Sequence, residues 1–184
     1  MSITFLPISS SNANYIKVID LYKEAFPEAR KVPKWFLKYQ LRNGKLGFSA
    51  LHTEDMWIGL IHITEYEDIV FIQSIAILES CRSKGFGSQV LESLKNEHLG
   101  KRIVLNIEVI DKQASNYQQR VKRKEFYESN GFLPSGFTVK EPGENLEMLI
   151  YGSGISKKEI EYMYKNLFGR VLGLFIKPEI TKIL

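Results

Sequence analysis

Two glycines and two basic residues separate an apolar strand-like run from a helix-like run within the segment Ile75–Ser88. These four residues are Arg82, Lys84, Gly85 and Gly87. At a helix N-terminus the first backbone NH groups have no intrahelical partner and the helix dipole is positive, so an anion finds several donors together. Glycine lets the backbone approach such a group closely, and the basic side chains add countercharge. The segment therefore favours a site for a phosphate or pyrophosphate group.

A simpler interpretation of the same segment stays open. The glycines could make a tight turn before a helix, with the basic pair as solvated surface. A pattern as short as Arg-x-x-Gly-x-Gly does not separate the two interpretations by itself. Other features of the sequence are needed to choose between the two interpretations.

A carboxylate interrupts the apolar strand that we expect over Arg102–Ile110. Strand alternation puts Asn106 and Glu108 on the same face. Burying a carboxylate is costly unless it is hydrogen-bonded or opens into a cleft, so Glu108 is a candidate site residue. The alternative is a solvent-facing glutamate at an edge. Glu65 and Glu67 are weaker candidates because hairpin ends are commonly acidic and solvated.

The elements that must position these residues follow from hydrophobic periodicity and turn signals. The expected strands are Ile3–Ile8, Leu46–Thr53, Met56–Tyr66, Ile69–Leu78, Arg102–Ile110, Phe137–Lys140 and Leu146–Tyr151. The expected helices are Asn14–Phe26, Lys34–Arg42, Gly87–His98, Arg120–Asn130 and, in a C-terminal extension, Lys157–Phe168. The order βααβββαβαββ predicts an α+β fold, with a mixed, mostly antiparallel central sheet flanked by helices.

Length and composition set the frame for this fold. The chain has 184 residues, 44% hydrophobic and 25% charged, which is typical of one globular domain. We expect a domain over residues 1–152 and an extension over 153–184 packed on it. The extension could cover a sheet edge, shape a substrate cleft or form a subunit contact such as a homodimer. One cysteine, no metal-ligand spacing, no signal sequence and no membrane-spanning run favour a soluble, metal-free cytoplasmic protein.

Two motifs together resemble the GNAT superfamily of N-acetyltransferases. Ile77–Gly87 is similar to the acetyl-CoA loop of that family, matching it at the arginine, the lysine and both glycines. Glu79, Cys81 and Ser83 depart from the Pro, Tyr and Gly often found there. Phe126–Phe132 resembles the Leu-Tyr-x-x-x-Gly-Phe signature, in the expected order along the chain. The resemblance spans roughly residues 3–151 and implies a GNAT-like acyl-CoA N-acyltransferase fold.

The resemblance also implies a reaction and a set of residues. Acetyl-CoA would give its acetyl group directly to an amine, on a small molecule or a peptide, in a ternary complex and without a metal. Tyr127 would be the general acid for the thiolate, with core packing as its alternative, and Glu108-Val109 resembles a family motif whose glutamate acts as base through water. The implied cofactor-binding residues are Ile75, Ala76, Ile77, Arg82, Ser83, Lys84, Gly85, Phe86, Gly87, Ser88 and, at a less regular spacing, Asn116.

A basic run over Arg120–Lys124 leaves two further interpretations open. It could be a solvated helix face, or it could contact the 3'-phosphate end of coenzyme A or an acidic acceptor. A different class of function is a non-catalytic acyl-CoA sensor or a nucleic-acid-binding module that uses this helix. The net charge of +4 suits any anionic partner, but no nucleic-acid-binding motif accompanies it. The acceptor cleft could include Phe26, Arg30, Lys31, Trp35 and Tyr39.

Overall fold

The computed structural model describes residues 2–8, 15–26, 47–54, 56–141, 144–167 and 178–183. The chain divides into two compact units. Unit 1 contains residues 1–64 and 72–99, and unit 2 contains residues 65–71 and 100–184. Three features of the sequence lie outside the described residues. They are the expected helix Lys34–Arg42, an apolar run over Val171–Ile176, and the acceptor-cleft candidates Arg30, Lys31, Trp35 and Tyr39.

The described residues form strands and helices in nearly the expected order. The elements are β1 Ile3–Pro7, α1 Tyr15–Ala25, β2 Gly47–Thr53, β3 Met56–Tyr66, β4 Ile69–Ile77, a 3-10 turn Glu79–Cys81, α2 Phe86–Glu97, β5 Arg102–Glu108, α3 Tyr117–Ser129, β6 Leu133–Glu141, β7 Glu144–Tyr151, α4 Lys157–Leu167 and β8 Glu179–Lys182. The strand order is β1-β2-β3-β4-β5-β7-β6-β8. The pairs β1-β2, β2-β3, β5-β7, β6-β7 and β6-β8 are antiparallel. The predicted mixed, mostly antiparallel α+β fold is confirmed.

Unit 1 is built around the apolar face of α1. Val18, Leu21 and Tyr22 recur at helical spacing and pack in one cluster with side chains of β2, β3 and β4. The Tyr22 ring meets the Phe48 ring edge to face, with centroids 5.5 Å apart. This packing gives the last strand of unit 1, which precedes the basic turn, a fixed support.

Unit 2 is built in the same way around α4. Ile160, Met163 and Tyr164 pack against the start of β4 and against β5, β6, β7 and β8 in a single cluster. The ring centroids of Phe71 and Tyr164 lie 5.7 Å apart.

Among the helices within the described ranges, none has the length and apolar character that crossing a membrane requires.

Three details differ from the sequence predictions. Strand β6 begins at Leu133, four residues earlier than predicted. Helix α3 begins at Tyr117, three residues earlier than predicted. Strand β8 was not predicted, because four residues after a proline carry too little periodicity to be recognised. It pairs with β6, so the extension does cover a strand edge.

Arg102, the first residue of β5, ties α4 to the rest of unit 2. Its guanidinium donates two hydrogen bonds of 2.7 Å to the Asp68 carboxylate, one of 2.7 Å to Glu159 and one of 2.9 Å to the Gly154 carbonyl. Glu159 in turn accepts bonds from the backbone NH and the hydroxyl of Ser156, and Ser156 Oγ accepts from the Glu159 NH. This reciprocal capping box fixes the start of α4.

The Arg102 network predicts an acid-sensitive helix α4. Hydrogen bonds from Arg102 and Ser156 lower the pKa of the Glu159 carboxyl from 4.5 to about 2. Because the folded pKa is depressed, the stabilisation is complete above pH 4.5 and is lost as the pH falls toward 2. We expect Arg102→Met to reduce the loss of stability that occurs as the pH falls from 4.5 toward 2. The same substitution should speed amide hydrogen exchange in α4 by roughly ten-fold or more.

The control for this experiment is Lys23→Met. Lys23 forms a solvent-exposed pair with Asp20, 3.4 Å away, on a different helix, and exposed pairs contribute little. It should leave exchange in α4 unchanged. Equal exchange in wild type and Arg102→Met would show that packing alone holds this helix.

Candidate active site

The basic turn in unit 1 is shaped by left-handed backbone. Ser83 and Gly85 have φ values of 59° and 80°, and Gly85 is the N-cap of the twelve-residue helix α2. The intrahelical ladder starts with Gln89 NH donating to the Gly85 carbonyl at 3.1 Å. No side chain from the described residues caps this N-terminus. The NH groups of the first helical turn are therefore available to an anion.

Glycine is required at position 85 because of the backbone conformation there, and not because a larger side chain would clash with its neighbours. A Cβ placed there would come no nearer than 4.0 Å to another atom, the Gln89 amide nitrogen. A left-handed φ disfavours any residue with a Cβ, however much space surrounds it. Gly85 is therefore needed for the direction in which the backbone turns. The close approach of the glycine backbone to a bound phosphate stays a prediction.

Both cations of the turn fold back onto the backbone that leads into it. Arg82 Nε donates to the Ile77 carbonyl at 3.1 Å, and Lys84 Nζ donates to the Ser80 carbonyl at 2.7 Å. Their residues, like Ser83 and Gly85, are exposed, and Phe86, Gly87 and Ser88 are half-buried. Two positive charges therefore remain next to the open helix N-terminus.

The strand before the turn is held on one side by β3. The Leu78 NH donates to the Ile58 carbonyl at 2.9 Å, and a Cβ at Gly59 would lie 2.1 Å from the Ala76 carbonyl oxygen. Ala76 is buried, and Ile75 and Ile77 on either side are half-buried. The end of β4 is thus fixed by a close strand contact that only glycine permits.

Glu108, in unit 2, is buried and paired. The residue is 5% exposed, and its Oε2 accepts a hydrogen bond from Arg123 Nη1 of α3. Its other oxygen accepts from Asn116 Nδ2 at 3.4 Å, and Asn116 Oδ1 accepts from Arg120 Nε at 2.7 Å. Glu108 and Asn116, which the sequence singled out separately, therefore belong to one network.

The basic run of α3 is used largely within unit 2. Besides Arg123, Lys124 Nζ bonds both oxygens of Glu147 on β7 at 2.9 Å. Arg120 Nη1 also donates to the Val109 carbonyl at 2.8 Å. Three of its cations therefore hold the helix to β5, to β7 and to the backbone just after β5, which the sequence did not predict. Contact of the run with the 3'-phosphate end of coenzyme A stays a prediction.

Tyr127 lies on α3 in an aromatic environment. The residue is 7% exposed, and its ring meets those of Phe126 and Phe132 at centroid distances of 5.1 and 5.8 Å. Its carbonyl accepts the NH of Phe132, which closes the helix where Gly131 turns left-handed (φ 83°). Burial raises the pKa of the phenol to about 12, and the Arg123 charge opposes part of that rise. The phenol therefore stays a hydrogen-bond donor at neutral pH.

A family model decides what these features belong to. Residues 42–134 match the model described as an acetyltransferase (GNAT) domain, which is half of the chain. This chain is a member of the GNAT acetyltransferase family. The match includes the basic turn, Glu108 and Tyr127, so the resemblance read from the two sequence motifs is confirmed. A search of curated protein sequences gives no significant match.

Solved GNAT structures share the fold. A Bacteroides thetaiotaomicron protein assigned to the GNAT family aligns with a TM-score of 0.70 and 23% identity, covering 92% of this chain and 98% of that one. A Bacillus subtilis acetyltransferase in complex with CoA gives 0.56 and 18%, over 83% and 98%. The Escherichia coli ribosomal-protein-S18-alanine N-acetyltransferase gives 0.57 and 17%, over 85% and 97%. At these identities the similarity establishes the fold.

The sequence did not predict the hydrogen-bond partners of the candidate site residues. The pairing of Glu108 with Arg123 joins residues far apart along the chain, and no local pattern signals it. The hydrogen bonds of Asn106 Nδ2 to Tyr164 and of Tyr164 to Glu141, at 2.5 and 2.9 Å, cross from β5 to the extension. The amphipathic spacing of Ile160, Met163 and Tyr164 indicates that the tyrosine is buried, but it does not indicate which residue it contacts.

Other titratable groups lie apart from this chemistry. His62 stacks on Phe48 at 4.0 Å, and burial lowers its pKa to about 3. It is a neutral core residue. Within the described ranges, no three His, Cys, Asp or Glu side chains come together as a metal site.

The burial of Tyr127 predicts that its phenol ionises at a higher pH than an ordinary tyrosine does. Subtracting the phenolate absorbance of Tyr127→Phe from that of wild type should show that this phenol ionises near pH 12, because burial disfavours its anion. A difference curve with its midpoint near pH 10, the ordinary value for a tyrosine, would mean that the phenol reaches solvent.

Proposed function

We propose that this GNAT protein transfers the acetyl group of acetyl-CoA directly to an amine, on a small molecule or a peptide or protein, through a ternary complex. The observation that carries the proposal is the uncapped N-terminus of α2 behind the left-handed Gly85, flanked by Arg82 and Lys84. The CoA complex of the Bacillus subtilis relative supports the same cofactor. Acetyl-CoA is here a substrate that donates its acyl group.

The pyrophosphate would bind along Arg82–Ser88. Backbone NH groups of the first turn of α2 would donate to the phosphate oxygens, and the two cations would add countercharge. The pantetheine arm would run beside Ile75, Ala76 and Ile77, with the thioester carbonyl polarised by a backbone NH near Ile77. Asn116 would contact the same arm, with its amide oriented by Arg120.

The chemistry requires one bond exchange. The amine nitrogen forms a bond to the acetyl carbon, the carbon–sulfur bond breaks, and coenzyme A leaves as a thiolate. Tyr127 would donate to that sulfur, because its buried phenol is protonated across the physiological range. The proton lost by the amine would pass to Glu108 through water. Pairing with Arg123 favours the ionised carboxylate, which is the form a base needs.

The proposal leaves the acceptor class open between small-molecule and peptide amines. The Escherichia coli neighbour acts on an alanine of ribosomal protein S18 by its name, so a peptide with N-terminal alanine is one amine to test. A peptide with an internal lysine and a polyamine complete a panel that spans the amine classes. We place the protein in the cytoplasm, where acetyl-CoA and such acceptors coexist.

The alternative functions receive no support from the described residues. The basic helix proposed for nucleic acid is engaged with Glu108, Glu147 and the Val109 carbonyl. A non-catalytic acyl-CoA sensor would bind the cofactor without releasing thiol when amines are supplied. Measuring thiol release alongside binding separates a sensor from an enzyme.

Substitution at Gly85 tests the cofactor loop. Gly85→Val should redirect the first turn of α2 because valine strongly disfavours left-handed backbone, and acetyl-CoA affinity should fall at least about ten-fold. The readout is the rise in melting temperature that acetyl-CoA produces, since a ligand bound only by the folded state raises it. We expect a clear rise for wild type and little for Gly85→Val.

The matched control is Gly100→Val. Gly100 has nearly the same φ of 79°, no atom within 4 Å of an added Cβ, and lies just beyond the other end of α2. The backbone strain is therefore comparable, while the proposed cofactor site is untouched. If both variants lose the ligand effect equally, the loss comes from strain in the fold and the loop assignment fails.

A further inference from the structure

Gln73 of β4 is held by two side chains of the neighbouring strand β3. Its amide nitrogen Nε2 lies 3.2 Å from His62 Nε2 and donates a hydrogen bond to Thr64 Oγ1 at 3.3 Å. His62 stacks on Phe48 and stays neutral, because burial lowers its pKa to about 3. A neutral imidazole accepts a hydrogen bond through its unprotonated nitrogen. Strand β3 therefore offers one acceptor to each N–H of the Gln73 amide.

The carbonyl oxygen of Gln73 takes no part in these contacts. The amide is planar, so Oε1 points away from the two groups that hold Nε2. No hydrogen bond among the described residues reaches Oε1, and it is not one of their polar atoms that are buried without a partner, as Ser74 Oγ is. The residue as a whole is half-buried. Gln73 therefore offers a ligand an oriented, uncharged hydrogen-bond acceptor.

The position of Gln73 along β4 relates it to the proposed cofactor. From this residue to the end of the strand, half-buried residues alternate with buried ones, and the half-buried residues are Gln73, Ile75 and Ile77. A pantetheine arm that enters from the basic turn would pass Ile77 first and end near Ile75. Gln73 lies two residues further, about 7 Å along the strand. A glutamine side chain and an amine bound beyond the end of the arm can together span that distance.

We propose that Gln73 Oε1 accepts a hydrogen bond from the attacking nitrogen and makes the protein selective for primary amines. This proposal rests on the proposed function. When the lone pair of a primary amine bonds to the acetyl carbon and coenzyme A leaves, one N–H is lost as a proton and one remains in the product amide. Gln73 would hold the N–H that remains. A secondary amine has a single N–H, which has to leave, so Oε1 would lose its donor.

An uncharged acceptor suits this step better than a carboxylate would. The nucleophile has to be the neutral amine, and a carboxylate beside it would favour the ammonium form, which has no lone pair. The Gln73 oxygen orients an N–H without that effect. Because the amide N–H groups have acceptors in His62 and Thr64, they are also kept from donating to the lone pair that attacks.

The test compares thiol release from acetyl-CoA with two substrates and two proteins. The substrates are the panel amine that releases most thiol and the same amine carrying one N-methyl group, and Gln73→Met removes the amide at similar side-chain length. Wild type should prefer the primary amine at least about ten-fold in kcat/KM, and Gln73→Met should reduce this preference below about three-fold. The bulk of the methyl group is the same for both proteins, so it cancels in the comparison.

A second variant separates the oxygen from the contacts that hold the side chain. Gln73→Glu keeps an acceptor oxygen but has no N–H, while His62 in its other tautomer and the Thr64 hydroxyl can both donate to the second carboxylate oxygen. This variant should keep at least about a five-fold preference for the primary amine. The rise in melting temperature with acetyl-CoA should show cofactor affinities within about two-fold of wild type in both variants.

Gln73→Leu replaces Gln73→Met if the latter does not fold in a melting experiment. An unchanged preference in the folded variant would overturn the proposal. An equal loss of preference in Gln73→Met and Gln73→Glu, or a matching fall in acetyl-CoA affinity, would show that Gln73 only joins β4 to β3. A wild type that binds acetyl-CoA but releases no thiol with any panel amine would instead overturn the proposed function, and the role of Gln73 with it.

Discussion

Two carboxylates buried on neighbouring strands constrain the half of the molecule that carries Tyr127. In the β5-β7 ladder Glu108 lies opposite Leu146 and Ile107 lies opposite Glu147, so the two acids occupy adjacent steps. Neither could stay ionised there without a cation, since an unpaired buried charge is strongly destabilising. Consecutive residues of α3, Arg123 and Lys124, supply one cation each. The helix is thereby held in one rotation about its axis, and that rotation sets where Tyr127 lies.

The turn that we propose for the cofactor depends on a different constraint. The direction of α2 follows from the left-handed backbone at Gly85, and the strand that leads into it is fixed by the contact between Gly59 and Ala76. Glycine at both positions is therefore a structural requirement. Gly85 has no side chain that could cap α2, so the first helical NH groups stay uncapped, with Arg82 and Lys84 beside them.

Much of this could be read from the sequence, because the relevant signals are local. The αL residue at Gly131 ends α3 as predicted, and the strands over β2 to β5 agree with their predicted bounds to within about two residues. The network around Glu108 could not be read in this way. A glutamate in an apolar strand indicates that a partner exists, but the sequence does not tell which of several nearby arginines supplies it. The extension shows the same limit, since the contact of Tyr164 with Asn106 joins residues 58 positions apart in the chain.

The most direct test of the central claim is a calorimetric titration of the chain with acetyl-CoA and, separately, with coenzyme A at moderate salt. The proposed phosphate turn predicts one site per chain with micromolar affinity for both ligands, because both carry the same pyrophosphate. A folded chain that binds neither ligand would contradict the account, since the family fold would then be present without its cofactor site.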